Sequence, residues 1–300
     1  MTGRPAVWYS WPRPLCLGLA QGWATHGHGG HLGPMPPLHH LPGLYEPFSA
    51  LSHLLGAALF AWLGALLLRR GRGDPLRVAL LAVYAGSCVL LLTASGAYHM
   101  TARGSVASRV LARLDHAAIF VLIAGTFTPV HGLLFRGWLR WGPLAVVWSL
   151  AAAGIALKTL FFSDLPEWAG LSAYLGLGWL GALTGLLLWV RHGLAFVRPL
   201  LAGGLAYSAG AILEYHRWPV LIPGVVHGHE VFHLAVLAGA LSQWLFVWRI
   251  AAGGLGAAAG RPRSEQAARG GAWPAWGAGR GRAGARRPGE SAAGVTEVLR

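Results

Sequence analysis

The sequence predicts an all-α protein, a seven-transmembrane helical bundle with disordered N- and C-terminal tails. Only 11% of its 300 residues are charged, against about 25% in an ordinary soluble domain, too few to cover a water-facing surface. Hydrophobic residues make up 55% and mean hydropathy is +0.50. These apolar residues fall into seven continuous runs, each near the roughly 20 residues that carry a helix across a bilayer.

The runs are 49–68, 77–98, 110–134, 142–161, 168–190, 199–214 and 229–247, the sixth being the shortest. They are continuous rather than alternating, and lipid offers no partner to an open strand edge, so each reads as a helix. Gly203, Gly204 and Gly210 in the sixth run suit close helix packing. The joints between runs are short and leave no room for a further folded domain. Three segments follow: an extension over 1–43, a membrane domain over 44–250 and a tail over 251–300.

The extension is rich in Gly, Pro and His, including His26, His28, His31, His39 and His40. Clustered imidazoles bind divalent cations loosely, but a flexible extension without a defined site is the simpler reading. Pro12 and Pro14 interrupt its one short apolar stretch, and no cleaved signal peptide is expected. The tail carries Gly, Ala, Pro and Arg and cannot bury a core. Much of the net charge of +14 lies in that tail and in the joints. Contact with anionic lipid headgroups is the expectation for it, and no nucleic-acid binding is expected without a folded module. Cys16 and Cys88 lie far apart and imply no disulfide framework.

Ionisable residues in spans are costly and by default mark function. Here Glu46 and His53 stand at the start of the first run, and Ser95 and His99 at the end of the second. Asp115 and His116 open the third, Glu214 closes the sixth, and His229, Glu230 and His233 open the seventh. Odd-numbered starts and even-numbered ends lie on one side of a seven-span protein, so all ten residues share a leaflet.

His229 and His233 are four apart and project from one helix face, as do Ser95 and His99. Three histidines, His99, His229 and His233, with an open fourth position are the arrangement of a catalytic zinc. Asp115 is placed to hold the metal's water or to orient a ligand. His53 and His116 read as hydrogen-bonded packing residues. The string His229–Glu230–Val231–Phe232–His233 also spells the HExxH signature of metalloproteases, with the glutamate as general base. That rival is weakened by the lack of a third ligand in the usual downstream patterns.

The stretch Ser95–Gly96–Ala97–Tyr98–His99, then Leu114–Asp115–His116 through Ala124–Gly125–Thr126–Phe127–Thr128–Pro129, resembles the haemolysin III branch of the progestin and adipoQ receptor family. Gly203–Gly204–Leu205–Ala206–Tyr207 with Gly210, and the closing His229–Glu230–Val231–Phe232–His233–Leu234, carry the same resemblance. It implies a seven-helix bundle with zinc on His99, His229 and His233, and with Ser95 and Asp115 near the metal's water. It further implies a site layout similar to that of membrane alkaline ceramidases. In that scheme activated water attacks an amide carbonyl and Asp115 shuttles the proton. This chain departs from the family's common pattern in having Ser49, not asparagine, between Glu46 and His53.

The resemblance also implies a cytoplasmic N-terminus, with the site near the cytoplasmic leaflet. The arginines of the joints point the other way, because Arg69, Arg70, Arg72, Arg77, Arg136, Arg140, Arg191 and Arg198 lie opposite the site. Between the two, the family expectation is followed. The functional expectation is a zinc-dependent hydrolase of membrane lipid amides such as ceramides. A receptor-like or membrane-homeostasis protein with structural zinc is the second reading. A pore-forming cytolysin is the third, disfavoured because the runs have no polar face. The Gly, Ala and Arg content fits a GC-rich bacterial genome, hence a multi-pass protein of the plasma membrane.

Overall fold

A computed structural model describes residues 44–223 and 225–252. The histidine-rich extension and the basic tail therefore lie outside the described residues. Among the described residues, eight helices form seven spans: α1 (Pro47–Arg70), α2 (Pro75–Met100), α3 (Val106–Leu134), α4 (Trp138–Leu160), α5 (Glu167–Trp179), α6 (Gly181–His192), α7 (Leu194–Tyr215) and α8 (Gly228–Ala251). Seven stretches are long and apolar enough to cross a membrane, α5 and α6 together making the fifth.

Local chemistry sets the ends. Proline opens α1 and α2 at Pro47 and Pro75, where its missing N–H costs nothing. Asp74 and Ser105 cap α2 and α3, accepting from Arg77 N at 3.1 Å and Ser108 N at 3.0 Å. Gly193, at φ 82°, makes the sharp reversal between α6 and α7 that an L side chain resists.

The sixth span differs from its reading in the sequence. It is α7, 22 residues long and starting at Leu194, five residues before Pro199. A proline inside a helix strips the carbonyl four residues earlier of its partner. Here that carbonyl belongs to Ala195, and Arg249 Nη1 donates to it at 3.1 Å. Gly203 and Gly210 face α8 with no room for a side chain: a Cβ would stand 2.6 Å from Gln243 Nε2 and 2.5 Å from Ala235 Cβ. Gly204 faces open space instead, so only two of the three glycines serve close packing.

The core lies between α1, α2, α3 and α8, around Phe60, Leu81, Tyr84, Leu92 and Val247. Two side chains cross it to main-chain acceptors: Tyr84 Oη donates to Ala240 O at 3.1 Å and Trp244 Nε1 to Leu63 O at 3.2 Å. The outer faces carry exposed Leu55, Leu183 and Val190, as lipid-facing surfaces do. The fifth span is the least buried of the seven. Its two helices adjoin at Leu180, whose backbone stays helical at φ −55° and ψ −28°, amid Gly176, Gly178, Gly181 and Gly185. An apolar cavity of about 210 Å³ lies against it, lined by Tyr174, Trp179, Gly204, Tyr207, Phe232 and Val236 among others.

Candidate metal centre

Helix α8 presents His229 and His233 one turn apart, and antiparallel α2 brings His99 against them from its last turn. Their ring nitrogens converge: His229 Nε2 lies 3.1 Å from His233 Nε2 and 3.3 Å from His99 Nε2. One ligand atom from each of the three lies within 4.8 Å of the others. His99 and His233 are 3% and 2% exposed.

The other nitrogen of two rings is taken. His99 Nδ1 donates to Glu46 Oε2. His229 Nδ1 donates to Glu214 Oε1 at 3.1 Å. A proton fixed on Nδ1 leaves a lone pair on Nε2, so these two rings turn bare lone pairs toward one another. Facing lone pairs of this kind are relieved by a shared proton or by a cation between them. Zinc bound tetrahedrally at 2.0–2.1 Å from each nitrogen would set them about 3.3 Å apart. The donor set, its spacing and its carboxylate-backed histidines thus fit zinc.

Glu46 is anchored twice on α2, since its N–H also donates to His99 O at 3.0 Å. Arg103, in the α2–α3 connection, donates through Nε at 2.9 Å and through Nη2 to the same carboxylate oxygen, Oε1. Burial alone would raise the Glu46 carboxyl, but the His99 hydrogen bond and the Arg103 charge outweigh it and hold it at about 2. Nothing in the spacing of the sequence marked Arg103, because its contact depends on how the connection folds back over α1.

Asp115 on α3 lies near Ser95 on α2 and near His229. His53 stacks on His233, ring centroids 3.8 Å apart. His116 turns back on its own helix, Nδ1 to Ala112 O at 2.8 Å, and packs edge-on against Phe162. It is not brought into the three-histidine group.

Glu230 separates the site from the protease pattern. Its Oε1 accepts from Ser49 Oγ at 3.1 Å and its Oε2 from His227 N at 2.9 Å, in a side chain 3% exposed. Oε1 thus ties α8 to α1 and Oε2 caps the start of α8, so both oxygens of Glu230 are engaged away from a general base's task. The Ser49 hydroxyl on α1 makes this contact with α8.

A further buried histidine, His131, lies toward the opposite end of the bundle. His131 Nδ1 donates to Leu139 O at 2.9 Å, the carbonyl that Pro143 leaves without a helical partner. Thr184 Oγ1 donates to its Nε2 at 3.0 Å. His131 thereby ties α3, α4 and α6. The signal in the sequence was a histidine ahead of a proline-containing span.

Fold and site together define a seven-helix membrane protein with a three-histidine pocket at one leaflet. Residues 44–244 match the haemolysin-III-related family, and the chain belongs to it. It is 33% identical over 207 residues to hemolysin-3 of Bacillus cereus, covering 67% of this chain and 90% of that one. It is 29% identical over 204 residues to the hemolysin-3 homolog of Bacillus subtilis (strain 168), covering 67% and 92%. The heptahelical transmembrane protein ADIPOR2 of Oryza sativa subsp. japonica is 30% identical over 191 residues, 59% of this chain and 83% of that one. That similarity joins the chain to the wider progestin and adipoQ receptor superfamily.

Proposed function

We propose that this protein is a zinc-dependent hydrolase acting on an amide bond of a membrane lipid, with ceramide-like amides as the substrate class. The observation that carries this reading is the convergence of His99, His229 and His233 through their Nε2 atoms, with Asp115 and Ser95 nearby. A zinc ion held there would supply a Lewis acid that activates water and polarises a carbonyl. Asp115 accepts the proton of the attacking water and returns it to the leaving nitrogen. Ser95 aims the carboxylate for both transfers. Glu46 and Glu214 hold two of the rings at fixed tautomer and angle.

The cavity supports a lipid substrate. It begins one turn below the site, at Leu91 beneath Ser95 and Ile119 beneath Asp115, and continues past Phe232 and Val236. Such a wall accepts an acyl chain and places its carbonyl end toward the histidines. The relatives named for haemolysis raise a cytolysin reading, but the cavity wall is apolar and unsuited to a water-filled pore.

The test is elemental mass spectrometry on detergent-purified protein, followed by turnover of a ceramide. Near-stoichiometric zinc in the wild type, lost in His229→Ala and His233→Ala, is the expected result. Absence of zinc from well-folded wild type overturns the reading. Zinc without hydrolysis of any lipid amide shifts it to a structural metal in a receptor-like protein.

A further inference from the structure

We propose that Arg103 is a positioning residue that sets the metal affinity of the three-histidine pocket through Glu46, an inference that rests on that pocket binding zinc. The geometry divides one carboxylate between two tasks. Oε2 receives His99 Nδ1, while Oε1 receives both Nε and Nη2 of Arg103. Glu46 is 5% exposed, whereas the Arg103 side chain is 59% exposed. The arginine therefore reaches from solvent over the mouth of the site and pins a buried carboxylate from above.

The consequence concerns rotation. A carboxylate held only by an imidazole swings about its last bond, and the imidazole swings with it. With Oε1 fixed by two converging donors, Oε2 has one position and the His99 ring one orientation, its Nε2 aimed at the other two histidines. Outer partners of this kind tune metal affinity by about 10- to 100-fold.

The comparison within the site sharpens the assignment. His229 is backed by Glu214, which receives no cation among the described residues; Arg217, three residues on, pairs with Glu167 instead. Only the His99 arm is locked by a third residue. His99 is also the single ligand from α2, whereas His229 and His233 share one helix and hold each other's spacing. The ligand that needs external orientation is the one that receives it. Exposure of Arg103 means that this lock can be loosened from the aqueous phase without disturbing the bundle.

The experiment uses full-length protein in detergent, with zinc affinity measured by competition against a chromophoric chelator and the ligand field read from cobalt(II) absorption. Arg103→Ala is expected to weaken zinc binding by about 10-fold or more and to broaden the cobalt bands. Arg103→Lys, which returns the charge but not the two-pronged grip, is expected to recover part of the affinity. Arg109→Ala, in an arginine whose Nη1 reaches only Gly104 O, is the control and is expected to match wild type. Metal-free Arg103→Ala is expected to unfold at a lower temperature than metal-free wild type, because Oε1 of buried Glu46 loses both donors, so affinity and cobalt spectra are compared well below both transitions. Zinc affinity within 2-fold of wild type in folded Arg103→Ala overturns the proposal, as do cobalt bands identical to those of wild type. Absence of zinc from wild type itself overturns the three-histidine reading instead, so the two failures are distinguishable.

Discussion

Ser49 donates to Glu230 across 181 positions of sequence, at 3.1 Å and fully out of solvent, and so ties the first span to the last. The bond uses up the glutamate that a protease would need. Ser49→Ala leaves a buried carboxylate oxygen without its partner, at a cost of roughly 1–3 kcal/mol. A lowered Tm with zinc still bound is the expected outcome in calorimetry with metal analysis. Unchanged stability with abolished hydrolysis would return Glu230 to the chemistry.

Asp115→Asn keeps the size of the side chain and removes its basicity. Zinc content should stay near that of wild type, because Asp115 is not one of the three converging groups. Turnover of a ceramide should fall by about 10²- to 10⁴-fold, the usual worth of a positioned acid–base group. Equal turnover in the two proteins would remove Asp115 from the mechanism.

His131→Phe tests the opposite end of the bundle. It strands Leu139 O and Thr184 Oγ1 in a buried place. A loss of roughly 1–3 kcal/mol is expected, read as a lower Tm in detergent, with zinc stoichiometry unaffected. Loss of zinc in a folded variant would show a longer-range coupling than local repair of α4.

Gly204→Leu places bulk where the cavity is open, since nothing stands within 4 Å of a Cβ there. Hydrolysis of long-chain amides should drop several-fold while short-chain amides and zinc are spared, which a chain-length series measures. A uniform effect on all chain lengths would mean that the acyl chain lies elsewhere.

What was legible in the sequence follows from the range of each interaction. Spans were legible because a bilayer demands a length of apolar chain whatever the neighbours do. Parity then placed His99 beside His229 and His233, and helical periodicity aligned the last two. The join of α5 and α6 at Leu180 was not legible, because a hydropathy window averages through it and no proline marks it. The early start of α7 was hidden because Pro199 reads as a boundary until Arg249, from another helix, satisfies Ala195 O. Gly204 read like its neighbours, although it faces the cavity and they face α8. Arg103 and His131 acquire their meaning only from carbonyls and carboxylates that the fold brings to them.

The three ligands come from the second span and the last, with 130 positions between His99 and His229. A chain emerging from the ribosome therefore has no pocket until its final helix enters the membrane. Until then Glu46 and His99 wait as a buried pair at the end of a half-built bundle. On the proposed function, metal loading would follow the entry of α8, and the ion would clasp the second span to the last.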